Sequence, residues 1–492
     1  MKKINFLIIL LLLVSCTTAS KKYSETENSL HSTPRQVAEA NDANIMPKEK
    51  ATNDLITILQ KTNYFDYIGT RIHGWPRNES SKKFWWGTYW SGVKIIKKNG
   101  QVKFLHPNDG SDNNGFRTAG LLIGMCYAQA LSPRAEWDYQ IQKMVRGFSS
   151  WILASDSDSR KNKNKVLSRA HYTENVTVRE PKYTYDVDYS QNRPGADNKS
   201  TQYVEINDNP TFGHIWVKNS RSLDDIGEMI LAMAQLQSCR EQLSAETKSD
   251  IDHMLELYRL WSIDVEDNSF QFPSLTKDGN YTRNNAPMTL FTRKFLPTGM
   301  VAISLLHGLT ASTEALLTDL DLITVKLIGP KLNNDAIEMI RAANIAALLE
   351  AKLLNSNNLI QKLKKRVELR INQDSKILTD MKSWPRINRA DISGSFIHAH
   401  NAGVNISQSQ IDHIYQSLSE TNISTPVKDP RFHVFSSSVP DGEYSYDLDE
   451  PASMASRAIV QLIGTCTSKF RDNNQQSILN CDKLQKYLQS VN

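Results

Sequence analysis

Acidic residues are the best placed, by type and spacing, to do chemistry in this chain. Asp224 and Asp225 stand side by side where a polar stretch gives way to an apolar one. Two carboxylates divide acid and base work when their surroundings push the two pKa values apart. Neighbours on a helix point about 100° apart, so a single reacting atom needs a second carboxylate from elsewhere. Asp186, Asp188, Asp447 and Asp449 are the candidates. The plainer alternative is that Asp224 and Asp225 cap a helix start and complement its dipole.

Histidines offer a second chemistry. His214, His398 and His400, with a tyrosine such as Tyr185 or Tyr446, have the types a polysaccharide lyase uses as base and acid, with an arginine to steady a carboxylate. His398 and His400 lie two apart and do not share a helix face. Around these groups the aromatics cluster: Trp85, Trp86 and Trp90 in one stretch, Tyr185, His214 and Trp216 in another, then Arg293, Arg389 and Tyr446. Rings beside carboxylates and arginines suit a sugar polymer, stacking on pyranose faces while charged groups take the hydroxyls; the alternative is that they pin long loops to the domain. The basic loop Arg160 to Arg169, with Lys161, Lys163 and Lys165, reads as a solvated segment able to touch anionic envelope glycans. The polar run from Asn108 to Gly115 fails as a calcium loop, because Gly110 and Leu121 occupy its first and twelfth places. No Cys-x-x-Cys, phosphate loop or dinucleotide fingerprint is present, so no metal or cofactor is expected.

These residues need elements to position them, and the apolar periodicity predicts helices in pairs. A segment apolar on nearly every side, 116–131, is followed by an amphipathic one, 134–154, with Trp137, Ile141, Met144, Val145, Phe148 and Trp151 in one stripe. A helix apolar all round is buried, and an amphipathic one covers it with one face. The alternation recurs at 223–239 and 249–261, 298–309 and 313–328, 335–354 and 358–371, 393–402 and 407–420, and 451–467 and 475–491. Six such hairpins predict an all-α fold, an (α/α)6 toroid whose long links (64–115, 155–221, 263–297, 372–392 and 421–450) crowd one face. Loops that long inside a compact domain are usually functional.

Before the domain lies an address. Lys2 and Lys3 precede an unbroken apolar run from Phe6 to Val14, too short to span a bilayer as a mature helix. Residues 16–49 are polar and read as a flexible tether with a reach of roughly 30 Å; residues 50–492 read as one domain. The formal charge is +5, falling to +3 once Lys2 and Lys3 leave with the leader, and no concentrated basic face argues for nucleic acid. Of the five cysteines, Cys126, Cys239, Cys466 and Cys481 remain beyond Cys16 for an oxidising compartment; Cys466–Cys481 is the favoured pair, closing a short loop between two predicted helices.

Two resemblances add to this. Leu13-Val14-Ser15-Cys16 resembles the lipobox of bacterial lipoproteins, which implies a signal peptide over 1–15 and a lipidated, palmitate-type Cys16 as the mature N-terminus. Thr17 is not the aspartate that marks inner-membrane retention in many such proteins, so the resemblance implies the outer membrane where the host has one. Ser222-Leu223-Asp224-Asp225-Ile226-Gly227-Glu228-Met229 is similar in type to the Asp-Asp helix start of unsaturated-uronyl glycoside hydrolases. Those are (α/α)6 toroids, and the likeness implies an acid/base role for Asp224 or Asp225. The combined expectation is a lipid-anchored cell-envelope protein, held to a membrane, that acts on a poly- or oligosaccharide as a glycoside hydrolase or a lyase. The alternative is a non-catalytic envelope lipoprotein binding glycan or protein through its aromatic face.

Overall fold

The computed structural model describes residues 48–61, 63–65, 72–75, 77, 84–90, 94–105, 114–161, 164–180, 183–189, 203–219, 223–268, 271–283, 386–420, 434–445, 459–471 and 477–491, with single residues between 345 and 372. The leader, Cys16, the start of the tether and the hairpins expected at 298–371 lie outside the described residues, apart from those single residues. Residues 46–492 form one compact unit.

Where the apolar periodicity is strongest, helices stand. After α1 (Lys48–Lys61), α2 (Asn114–Leu131) is buried on nearly every side, as its Ala, Leu, Ile and Gly content dictates, and α3 (Ala135–Leu153) lays its Trp137–Trp151 stripe against it. Next, α4 (Leu223–Gln235) packs along α2, while α5 (Ala245–Asp267) packs along α3. Near the C-terminus α6 (Arg386–Asn401) pairs with α7 (Gln408–Glu420), and the 3-10 turn Leu462–Cys466 fits between α6 and α2. The last helix, α8 (Cys481–Ser490), returns to α1: the Asn480 N–H donates to Thr52 Oγ1 at 2.9 Å, and Lys483 pairs with Glu49 at 2.8 Å. Disulfides join Cys126 to Cys239 and Cys466 to Cys481.

The all-α toroid expectation is overturned by what fills the long links. Four β-sheets lie there among the described residues, making the fold mixed α and β. The first is a hairpin, β1 (Ile72–Trp75) with β2 (Trp86–Tyr89), seated on α3. The largest has five strands in the order β12-β3-β4-β7-β6, built from β3 (Lys94–Lys98), β4 (Gln101–Leu105), β6 (Val176–Arg179), β7 (Thr184–Asp188) and β12 (Gly442–Ser445). All its pairings are antiparallel except β4 with β7. A three-stranded sheet holds β5 (Ala170–Tyr172), β9 (Gly213–Lys218) and, at one edge, β8 (Tyr203–Asn209); β10 (Pro273–Leu275) and β11 (Tyr281–Arg283) form a last hairpin.

The physical reason is period-2 patterning, which competes with period 3.6 in the same chain. In β7 Tyr185 and Val187 point inward while Thr184 and Asp186 face out; in β4 Val102 and Phe104 alternate with Gln101 and Lys103 in the same way. Asn99 and Gly100, both at positive φ, make the tight turn between β3 and β4, the residue pair that fits hairpin twist best. The inward residues of the sheets build cores of their own, one around Phe104, Tyr172, Tyr185, Tyr189 and Trp90, another around Val204, Ile206, Ile215 and Val217.

Candidate functional site

Of the expected catalytic acids the three with described side chains, Asp225, Asp186 and Asp188, are each engaged with a different structural partner. Asp225 is fully buried at the start of α4, and its Oδ1 accepts the Phe116 N–H at 2.9 Å, so it satisfies an orphan donor in the first turn of the adjoining helix α2. Asp186 is exposed on β7 and takes a hydrogen bond from Thr177 Oγ1 of β6 at 2.5 Å. Asp188 pairs with Lys103 of β4 at 2.8 Å. The side chains of Asp224 and Arg389, and all of Asp447, Asp449, Tyr446 and Arg293, lie outside the described residues.

Most of the expected sugar-stacking aromatics are core instead. Trp85 stacks on Tyr139 with centroids 5.5 Å apart and lies under the Arg146 guanidinium at 4.7 Å. Trp86 packs on His171, and Trp90 on His73, whose Nδ1 sits 3.2 Å from the Tyr185 hydroxyl. The described aromatic rings Trp85, Trp86, Trp90, Tyr185 and Trp216 are all buried. His398 and His400 are buried as well; Arg471 lies 3.4 Å from His400 Nε2, and burial, with that guanidinium adding to it, holds His400 down at about 4.

His214 and Trp216 come from another strand, with Trp216 joining the same core as Trp90 and Tyr185. They lie on β9 with their rings 4.2 Å apart, and His214 Nε2 meets Glu205 Oε1 of β8 at 2.7 Å. Glu205 opens onto a groove of about 580 Å³ bounded by β8, the loop that follows α3, and the tip of the β10–β11 hairpin. Its lining is polar: Ser157, Ser159, Arg160 and Lys161 from the loop, Glu205, Asn207 and Asp208 from β8, Asp278, Asn280 and Tyr281 from the hairpin.

Local hydrogen bonding explains why the groove holds its shape. Asn209 ends β8 and donates its amide to the carbonyls of Leu153, Ala154 and Asp156, while its own side-chain oxygen accepts from Thr211 and Phe212. That single residue ties the strand turn to the end of α3. Asp208 then organises the loop, accepting from Ser157 Oγ and from the Ser159 N–H, both at 2.6 Å, and these bonds hold its carboxyl down at about 2. On the far wall Arg283 pairs with Asp264 of α5 at 2.6 Å, and the Tyr281 hydroxyl reaches Asp264 at 3.3 Å, clamping the hairpin to that helix. Burial, more than any neighbour, pushes the Tyr281 hydroxyl up.

Arg160 is the unusual member. Although it belongs to the basic run read as solvated, it is only 8% exposed. One terminal nitrogen donates to the Ser155 carbonyl, while Nε and Nη1 are buried and have no partner among the described residues. Burial pushes its guanidinium below the ordinary value, against the pull of Asp156 and Asp208; Asp156 itself pairs with Lys165 at 2.9 Å.

The groove thus interleaves donors and acceptors, with one tyrosine wall and Ile206 at its side. That lining suits a ligand whose groups both give and take hydrogen bonds, as sugar hydroxyls do. Ser157, Ser159 and Glu205 escape sequence reasoning; the alternating Ser and Asp of residues 155–159 is the only local hint. Among the described residues no three His, Cys, Asp or Glu side chains are placed to hold a metal, and no helix is long and apolar enough to cross a membrane. No protein-family model, characterised protein or solved structure matches the chain.

Proposed function

We propose that this chain is a lipid-anchored envelope protein that binds a poly- or oligosaccharide in the groove between β8, the loop after α3 and the β10–β11 hairpin. The observation that carries the reading is the lining: serine hydroxyls, carboxylates, an arginine and a tyrosine on walls fixed by Asn209, Asp208 and Asp264. A pre-formed polar groove binds without first being ordered, which keeps the entropic cost of association low. The lipobox-like Leu13-Val14-Ser15-Cys16 supports the anchor, and Thr17 the outer membrane.

Binding is favoured over hydrolysis by the state of the described acids. A carboxyl held at about 2, as in Asp208, has no proton to give near neutral pH. Asp225 has its Oδ1 on a helix start, and Glu205 is half-exposed beside His214. The test is a panel of envelope and plant-type oligosaccharides titrated onto the full-length protein in detergent micelles, with reducing ends assayed in parallel. Binding without turnover is expected, weakened about tenfold by Tyr281→Ala or Glu205→Ala, a loss the size of one or two hydrogen bonds. Turnover abolished by Asp224→Asn would restore the hydrolase; saccharide binding untouched by both groove substitutions would move the site elsewhere. Cys16→Ser is expected to leave the membrane fraction, and its staying there would remove the anchor.

A further inference from the structure

Asparagine followed by glycine is the pair in which a side-chain amide is most easily lost, because no side chain on the second residue shields its backbone nitrogen. The pair occurs twice in this chain, at Asn99-Gly100 and Asn114-Gly115. Asn114 is buried and lies in the first turn of α2, where the helix fixes the backbone. Asn99 is exposed in the turn between β3 and β4, and a Cβ on Gly100 would meet nothing within 4 Å. One carboxylate closes that turn. Asp441, the residue before β12, accepts the Asn99 N–H at 2.5 Å and the Gly100 N–H at 3.4 Å. From there β12 pairs with β3, beginning at Gly442 opposite Lys97.

From this we infer that Asn99 is a site of spontaneous deamidation, guarded by Asp441, and that its conversion loosens β12 from the five-stranded sheet. In the first step the Gly100 nitrogen attacks Asn99 Cγ. A C–N bond forms, the side-chain nitrogen leaves as ammonia, and the Gly100 N–H proton passes through solvent to the leaving group. Water then opens the resulting succinimide at either carbonyl, giving aspartate or isoaspartate. Asn99 and Gly100 both hold positive φ, 53° and 76°, the left-handed pair of a two-residue hairpin turn. Ring closure swings the 99–100 peptide out of that conformation, so the turn opens before it reacts, and the bonds to Asp441 oppose the opening. Reaction from a rapidly reclosing open state follows the population of that state. The product sets a new negative charge against the Asp441 carboxylate, and isoaspartate also lengthens the main chain by one carbon. Both act on the strand that stands at one end of the order β12-β3-β4-β7-β6.

The experiment ages the full-length protein in detergent micelles at mildly alkaline pH and maps its peptides by mass. That readout registers amide loss and is blind to isomerisation at Asp441-Gly442. In the native parent Asn99 is expected to convert well before Asn114, and in guanidinium chloride the two are expected to convert at similar rates. Asp441→Ala is expected to speed native conversion of Asn99 roughly tenfold, the size of one exposed hydrogen bond to a charged group. Aged protein is expected to exchange the backbone amides of 442–445 faster than fresh protein does. Native conversion at Asn99 no faster than at Asn114 overturns the site. A rate that Asp441→Ala leaves unchanged overturns the guard, and a rate that it lowers does so too, making the carboxylate a base for the attack. Unchanged exchange over 442–445 overturns the loosening of β12. Circular dichroism checks that the variant folds, and if it does not, the comparison of Asn99 with Asn114 in the parent decides.

Discussion

At the scale of single residues the clearest consequences are electrostatic, and they fall in two separate pH windows. His400 is held at about 4 against an ordinary 6.5, by burial first and then by Arg471. Below pH 6.5 the unfolded chain takes up a proton that the folded chain refuses, so stability present at neutral pH drains away as pH falls from 6.5 to 4. The full span is worth at most roughly 3 kcal/mol. Asp208 is held at about 2 against 3.8. Its contribution is complete above 3.8 and is lost as pH falls towards 2. Urea unfolding measured from pH 7.5 to 2 is expected to show both: His400→Gln flattens the upper window, and Asp208→Asn the lower one only. Asp208→Asn also lowers the melting temperature at pH 7, on the order of 1–2 °C, and the difference from the parent shrinks as pH falls towards 2. A slope between pH 6.5 and 4 that survives His400→Gln would assign that window to another group.

Among the elements, what holds β2 to α3 is the absence of side chains. A Cβ on Gly147 of α3 would run into the Gly87 carbonyl oxygen of β2 and stand 2.7 Å from Thr88 Cγ2. Around that contact Lys143 pairs with Glu180 in full burial and donates to the Ile72 carbonyl at 3.1 Å, and Arg146 Nε donates to the Trp85 carbonyl at 2.7 Å. Gly147→Ala gains about 1 kcal/mol of helix propensity, yet it must push backbone away. A net destabilisation of about 1–3 kcal/mol is expected from overpacking, read as a lower urea midpoint at unchanged slope. A neutral or stabilised variant would mean that β2 does not rest on α3 through this contact. The same region shows what was legible in the sequence. Predicted helices at 116–131, 134–154 and 407–420 agree closely with Asn114–Leu131, Ala135–Leu153 and Gln408–Glu420, because long 3.6-residue periods outweigh local choices. The strands escape a helical reading because long links point to function before they point to structure. The alternation in Lys94–Lys98 and Gln101–Leu105 around Asn99 and Gly100 was there to be seen. Trp85, Trp86, Trp90 and Tyr185 looked like a sugar platform for the same reason: small sheets without a large core need big rings to fill them. Arg160 was visible only as one charge in a basic run, since its burial depends on a loop that Asn209 and Asp208, some 50 residues away, pin in place.

For the whole molecule, two covalent links do different jobs. Cys126–Cys239 spans 113 residues and ties buried α2 to the 3-10 turn that follows α4; Cys466–Cys481 spans 15 and fixes the start of α8. That last helix is also held at its far end, where Arg134 donates to the Leu488 and Gln489 carbonyls, and midway, where Gln485 donates to the Leu131 carbonyl. Loop-closure entropy grows with the logarithm of the span, so loss of the long link is expected to cost about 5 kcal/mol and of the short one about 3 kcal/mol. Accessibility runs the other way. Cys126 and Cys239 are fully buried, whereas Cys466 and Cys481 are half-buried and open to an attacking thiolate. Mild reductant applied to the native protein is therefore expected to open Cys466–Cys481 first, leaving Cys126–Cys239 intact until the molecule unfolds globally. Alkylation followed by peptide mass spectrometry reads the order, and urea unfolding of the two Cys-to-Ala double variants reads the energies. If Cys126–Cys239 were reduced under native conditions as fast as its partner, the packing of α2 against α4 would be too loose to shield it. If the short link proved the more stabilising, α8 would owe its place to that bond rather than to Arg134, Gln485 and Lys483.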